Sequence, residues 1–216
     1  MNVVLYGDSN TYGLMPNGGR YENRFSILLK KYFDNRINIY EEGLVGRTTI
    51  YDDERPNRKA LDDINSTLSK YNKIDLLVIM LGTNDYKIGN ARNVDDLKNG
   101  MKLLLNKVLK NNDIKKLLII SPILLATNIE DLDPEFNYNS YKLSKISHLA
   151  YESIANEYNA LFLDAKEFAK AGTDGEHLEE AGHFEIANNL INIINCNFEG
   201  DNYENWYTLF ARKRWI

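Results

Sequence analysis

Short apolar runs punctuate the chain at residues 2–6, 37–40, 74–81, 116–120 and 161–163. They are mostly continuous in Val, Ile and Leu, without polar alternation, which is the pattern of strands covered on both faces. Between them the apolar positions recur at steps of three and four, the period of a helix with one buried stripe. Phe25, Leu28, Leu29 and Tyr32 mark the first stripe, and Leu61, Ile64, Leu68 and Tyr71 the second. Val94, Leu97, Met101, Leu104 and Val108 form the longest. Ile146, Leu149, Ala150 and Ile154 follow, then Ala187, Leu190, Ile191 and Ile194. Strand and helix alternating five times predict a five-stranded parallel sheet with helices on both sides, and right-handed crossovers make it a doubly wound α/β sandwich. Residues 122–140 lack clear periodicity and read as a surface loop or lid.

The composition leaves this picture intact. At 216 residues, 44% hydrophobic and 26% charged, the chain fits one globular domain with a full core. We divide it into a main domain, 1–197, and an extension, 198–216. In that extension Tyr203, Trp206, Tyr207 and Phe210 are spaced as one aromatic helix face. It is expected to pack on the domain or on a second subunit of a homo-oligomer. A net charge of −5 is the wrong balance for gripping nucleic acid or anionic lipid, so neither is an expected partner. No run reaches the roughly 18 apolar residues of a membrane span. The first strand begins at once, leaving no room for a leader peptide, so with Met1 as the natural start a cytoplasmic protein is expected. The single cysteine, Cys196, lies in an apolar helical pattern and reads as an inert buried thiol.

In a parallel sheet, ligands bind beyond the carboxyl ends of the strands. Gly7-Asp8-Ser9-Asn10 follows the first strand, Glu41-Glu42-Gly43-Leu44-Val45-Gly46 the second, and Gly82-Thr83-Asn84-Asp85 the third. Beyond the fifth comes Asp174-Gly175-Glu176-His177. A serine hydroxyl becomes a nucleophile when a base takes its proton, and neutral histidine suits that task near pH 7. Asp174 and His177, three residues apart in a turn, are placed to meet each other while the ring's far nitrogen faces Ser9. Backbone N–H groups at Ser9 and Gly43, with the Asn84 amide, are candidate donors to an oxyanion. These are the parts of a serine acyl-transfer site.

Four such blocks in this order resemble the SGNH (GDSL-like) hydrolase superfamily. Gly7-Asp8-Ser9 resembles its first block, Gly43 the second, Gly82-Thr83-Asn84-Asp85 the third, and Asp174-Gly175-Glu176-His177 the fifth. The contexts Glu41-Glu42-Gly43-Leu44-Val45-Gly46-Arg47-Thr48-Thr49 and Val78-Ile79-Met80-Leu81 are similar to the arylesterase and acetyl-xylan-esterase branch. The resemblance runs from residue 3 to about 195. It implies a flavodoxin-like three-layer α/β/α sandwich, no cofactor or metal, and hydrolysis of small acyl esters, acetyl esters above all, through an acyl-serine. It also implies assembly into oligomers, and the histidine's acidic partner is the residue three before it, Asp174. Asn10 departs from the family, where Leu or Ile is common after the serine, and is expected to alter the pocket floor.

The remaining candidates take supporting roles. Asp8 is read as a positioner of the serine turn, Asp85 as the holder of the asparagine loop, and Arg47 as a brace through a carboxylate. Glu176 adjoins His177, but its side chain points poorly for holding the ring. His183 is expected to be packed and hydrogen-bonded, and His148 solvent-exposed. Three other classes fit the residues less well. A two-metal phosphoesterase would need more histidines than three. A nucleotide-binding domain lacks G-x-x-x-x-G-K-[ST] and G-x-G-x-x-G. A binding module without activity has no use for all four of serine, histidine, aspartate and asparagine. Within the esterase class, a lysophospholipase or thioesterase acting on longer acyl chains is the alternative.

Overall fold

The computed structural model describes residues 1–34 and 36–199. Five parallel strands form one sheet: β1 (Asn2–Gly7), β2 (Asn38–Gly43), β3 (Leu76–Met80), β4 (Leu117–Ser121) and β5 (Leu161–Asp164), in the order β2-β1-β3-β4-β5. That is the doubly wound order of flavodoxin-like sheets, in which the winding reverses between β1 and β3. The continuous apolar runs mean what they predict. β3 and β4 are buried at every position, and β1 at every position after Asn2, while the edge strands β2 and β5 are only partly covered.

Eight helices flank the sheet among the described residues: α1 (Ser9–Tyr12), α2 (Phe25–Phe33), α3 (Ala60–Leu68), α4 (Val94–Asn111), α5 (Ile129–Leu132), α6 (Tyr138–Ile146), α7 (His148–Glu157) and α8 (Glu180–Ile194). Alternate strand residues divide the core in two. Val4, Tyr6, Leu77, Ile79 and Ile119 meet α3, α4 and α7 on one face. Val3, Leu5, Val78, Leu118 and Ile120 meet α2 and α8 on the other. The α4 stripe forms as its spacing predicts. Asn93 caps it by accepting from the Asp96 N–H at 2.9 Å, Asp95 and Asp96 favour its first turn, and Lys110 its last.

Several expectations need correction. Residues 122–140 are not a bare lid. They carry α5 and the start of α6, and bury Ile123, Leu125, Ile129 and Phe136. The segment lacks one clear period because its core contacts are shared among irregular turns and short helices. The stripe through Ile146 and Leu149 is broken at Ser147, which leaves both residues exposed while Ala150, Tyr151 and Ile154 face inward. Cys196 is exposed, two residues past the buried Ile194. His148 is half-buried, with Nδ1 2.6 Å from Lys166 Nζ. The aromatic positions of the C-terminal extension, Tyr203, Trp206, Tyr207 and Phe210, lie outside the described residues.

Candidate active site

β1 ends at Gly7, and the chain turns at once into α1, so Ser9 stands at the carboxyl edge beside the winding reversal. The turn is held by Asp8. Its carboxylate accepts from the Asn10 N–H at 3.0 Å and from both the backbone and the hydroxyl of Thr83. Burial pushes the Asp8 carboxyl up, and these donors together with His177 only partly offset that. Asp8 is thus a positioner, as expected, and it ties the β1 turn to the β3 turn. Ser9 opens α1, so its N–H has no carbonyl to reach within that helix.

His177 comes to Ser9 from the far end of the chain. Its Nε2 lies 2.9 Å from Ser9 Oγ, and its Nδ1 lies 2.6 Å from Asp174 Oδ2. Asp174 also accepts with Oδ1 from the N–H groups of His177 at 3.0 Å and Glu176 at 3.2 Å, closing the tight loop that the spacing Asp-x-x-His suggests. His177 is 8% exposed and Ser9 3%. Burial alone would lower the imidazole's pKa, but the Asp174 hydrogen bond and the charges of Glu176, Asp174 and Asp8 outweigh it, and the net direction is up. Asp174 is also partly desolvated, yet its bonds to His177 and Glu176 hold it below the usual carboxylate value. Glu176 Oε1 stands farther from Nδ1, at 3.7 Å, and burial raises its carboxyl to about 7. Of the two acids, Asp174 therefore has the geometry and the charge to orient the ring. Asp174, Glu176 and His177 also form the one group of three donors among the described residues spaced for a metal ion, within 4.8 Å of one another. The imidazole nitrogen facing those carboxylates already engages Asp174.

The candidate donors sit on the neighbouring strand ends. The Leu44 N–H donates to the Gly7 carbonyl at 3.0 Å, and parallel pairing then turns the N–H of Gly43 out of the ladder. A β-carbon at Gly43 would lie 2.3 Å from Tyr12 N, so glycine lets the α1 backbone approach this strand. After β3, Gly82 takes φ 136° and starts a 3₁₀ turn, Thr83–Tyr86, that carries Asn84. The Asn84 Nδ2 donates to the Arg47 carbonyl at 3.1 Å and keeps a second N–H, while the Asn84 backbone carbonyl accepts from Asn90 Nδ2 at 2.9 Å. Asp85 holds the turn by accepting from Thr49 N at 2.9 Å and Thr49 Oγ1 at 2.5 Å, and burial raises its carboxyl to about 7.

Arg47 braces more than a carboxylate. It meets Asp63 at 3.1 Å, but it also donates to the carbonyls of Gly7, at 2.8 Å, and Glu42, and lies over the Tyr6 ring. It thereby joins the ends of β1 and β2, while its own carbonyl orients Asn84. Around it the rim is charged. Arg55 is clamped in two-pronged fashion by Asp53, at 2.7 and 3.0 Å, and packs against Gly46. Lys87 reaches Glu135 at 2.8 Å and Asp53 at 3.6 Å.

Two expectations differ. His183 is fully buried between Tyr21 and Phe25, as packing predicts, but neither ring nitrogen has a hydrogen-bond partner, and burial drives its pKa down to about 3. Asn10 does not form a pocket floor. It is 1% exposed, and both ends of its amide engage the backbone of the histidine loop, donating to Glu176 O at 3.1 Å and accepting from Leu178 N at 2.8 Å. Sequence reasoning missed this bond and the one from Asn84 to the Arg47 carbonyl. Both join segments that no local spacing brings together.

Solved structures agree with this architecture. A carbohydrate acetylesterase family member from Sinorhizobium meliloti is 28% identical, with a TM-score of 0.82 over 90% of this chain and 97% of that one. The inhibitor-bound aryl esterase of M. smegmatis is 26% identical, with a TM-score of 0.80 over 90% and 98%. A lipase/acylhydrolase from Enterococcus faecalis, 17% identical with a TM-score of 0.67 over 94% and 99%, shares the fold. No curated protein sequence matches the chain significantly. Residues 5–184 match the GDSL-like lipase/acylhydrolase family, to which this chain therefore belongs as a carboxylic ester hydrolase.

Proposed function

We propose that the protein hydrolyses small acyl esters, acetyl esters above all, through an acyl-enzyme formed on Ser9. The observation that carries this reading is the continuous contact from Asp174 through His177 to Ser9, at 2.6 and 2.9 Å. Ser9 Oγ attacks the ester carbonyl while His177 Nε2 takes its proton, and Asp174 holds the ring and stabilises the imidazolium. The N–H groups of Ser9 and Gly43 and the free N–H of Asn84 donate to the oxyanion. The carbon–oxygen bond to the alcohol then breaks, and His177 returns the proton to the departing oxygen. Water attacks the acyl-serine and gives its proton to His177; the bond from the acyl carbon to Ser9 Oγ then breaks, His177 returns the proton to that oxygen, and the carboxylic acid leaves.

The small-acyl preference draws support from two sources. One is the likeness to acetyl and aryl esterases. The other is the charged rim of Arg55, Lys87 and Glu135, which offers hydrogen bonds to a polar alcohol more readily than apolar cover to a long acyl chain. The test is hydrolysis of p-nitrophenyl acetate, butyrate and octanoate by wild type and Ser9→Ala, with and without EDTA. Turnover that depends on Ser9, ignores EDTA and falls with chain length is expected. Octanoate as the preferred ester would favour the longer-chain alternative, and loss of activity in EDTA would overturn the metal-free reading.

A further inference from the structure

We propose that Asn10 is a positioning residue for the base: its side-chain amide holds the backbone on both sides of His177 and thereby sets where Nε2 meets Ser9 Oγ. The inference rests on the assignment of His177 as the base. Asn10 is the next residue after Ser9 and shares helix α1 with it. Its backbone N–H is fixed by Asp8 at 3.0 Å, so the start of its side chain is as firmly placed as the nucleophile itself. From there the amide crosses to a loop more than 160 residues away in sequence.

The two contacts are complementary in one orientation only. The Glu176 carbonyl can only accept and the Leu178 N–H can only donate, so Nδ2 must face the first and Oδ1 the second. Together they grip the two peptide groups flanking His177, fixing the distance and the tilt of the loop relative to α1. The other fastenings of this loop lead elsewhere. Asp174 bonds the N–H groups of Glu176 and His177, and Gly172 N donates to the His177 carbonyl at 2.7 Å, all within the loop. The Gly175 carbonyl accepts from Ala126 N at 2.8 Å, on a different part of the rim. These bonds shape the loop, whereas the Asn10 amide registers it against the nucleophile's helix. Burial of Asn10 at 1% exposure keeps water from replacing either bond.

A base displaced by about 1 Å can lose on the order of 10²-fold in rate, so the clasp has a kinetic signature. Asn10→Leu keeps the branched four-atom outline of the side chain and loses both bonds. Asn10→Asp keeps the acceptor for Leu178 but sets a carboxylate oxygen against the Glu176 carbonyl. Both variants are expected to lower kcat by about 10–100-fold, with KM within about twofold of wild type, and to move the midpoint of the pH profile of kcat/KM. The deciding experiment repeats Asn10→Leu and Asn10→Asp in a His177→Ala background, with thermal midpoints recorded for every protein. If Asn10 acts through His177, the slow residual hydrolysis there changes by less than about twofold. An equal loss in both backgrounds, wild-type kcat in both single variants, or losses that track the unfolded fraction would overturn the proposal. Full activity in His177→Ala would instead overturn the underlying assignment of the base, a separate result read from a separate variant.

Discussion

Ser9, His177 and Asn84 owe their character to neighbours far away in the chain. Ser9 Oγ meets His177 Nε2 because β5 and the loop after it return the chain to the end of β1, while Nδ1 of the same ring engages Asp174. Because the environment holds the His177 pKa above its ordinary 6.5, kcat/KM should rise with pH through a midpoint above 6.5, as the protonated ring cannot accept the serine proton. Asp174→Asn should pull that midpoint down, since burial then acts with less opposition, and cost roughly 10²–10⁴ in kcat. A pH-rate series on both proteins checks this, and an unshifted midpoint would count against Asp174 as the partner. Asn84→Ala removes a proposed oxyanion donor and should cost on the order of 10²–10³ in kcat, with a smaller change in KM. The meeting of Ser9, His177 and Asp174 was legible in the sequence as a candidate constellation, because Gly-Asp-Ser directly follows the first strand and Asp-x-x-His closes a turn beyond the fifth. The Asn10 clasp was not, because an amide pairs with whatever backbone the fold delivers, and spacing along the chain carries no trace of it.

At the scale of elements, close approach of backbones decides what the strand ends can be. Gly43 lies so near the α1 backbone that an added β-carbon would meet Tyr12 N at 2.3 Å and Thr11 C at 2.7 Å. Gly43→Ala should therefore push β2 and α1 apart, destabilising the fold by about 1–3 kcal/mol and lowering kcat further than stability alone explains. Urea midpoints beside kcat separate the two effects. The buried strands and the α4 stripe were readable because a parallel sheet imposes continuous apolar runs and a helix imposes a period. The break at Ser147 was not. Ile146 and Leu149 continue the apolar rhythm, yet the chain turns their side chains to solvent and buries Tyr151 instead. Residues 122–140 were unreadable for a related reason: short helices and single buried side chains leave too few repeats to show a period.

Across the molecule, two buried titratable groups tilt stability in opposite senses. His183 stays neutral in the fold down to about pH 3 but takes a proton near 6.5 when unfolded, so the stability it allows is present above 6.5 and lost as pH falls toward 3. Neither of its nitrogens has a partner, so His183→Phe, which suits the ring contacts with Tyr21 and Phe25, should flatten the acid side of a plot of stability against pH. Asp85 does the reverse. Its carboxyl ionises near 3.8 when unfolded and at about 7 in the fold, so its contribution is fully present below 3.8 and lost as pH rises to 7. Asp85→Asn can keep both Thr49 contacts and should remove that decline. Denaturant titrations of the three proteins between pH 4 and 8 read both slopes, and parallel curves would contradict both assignments.

The covalent bond to Ser9 stands at the centre of this account, and trapping it is the most direct measurement. Wild type mixed with p-nitrophenyl acetate and quenched in acid within the first turnover should carry one acetyl group on the peptide containing Ser9, as read by mass spectrometry. The same peptide from Ser9→Ala should carry none, and that variant should not turn over. Turnover by wild type with no acyl group on this peptide, or hydrolysis that survives in Ser9→Ala, would contradict the account.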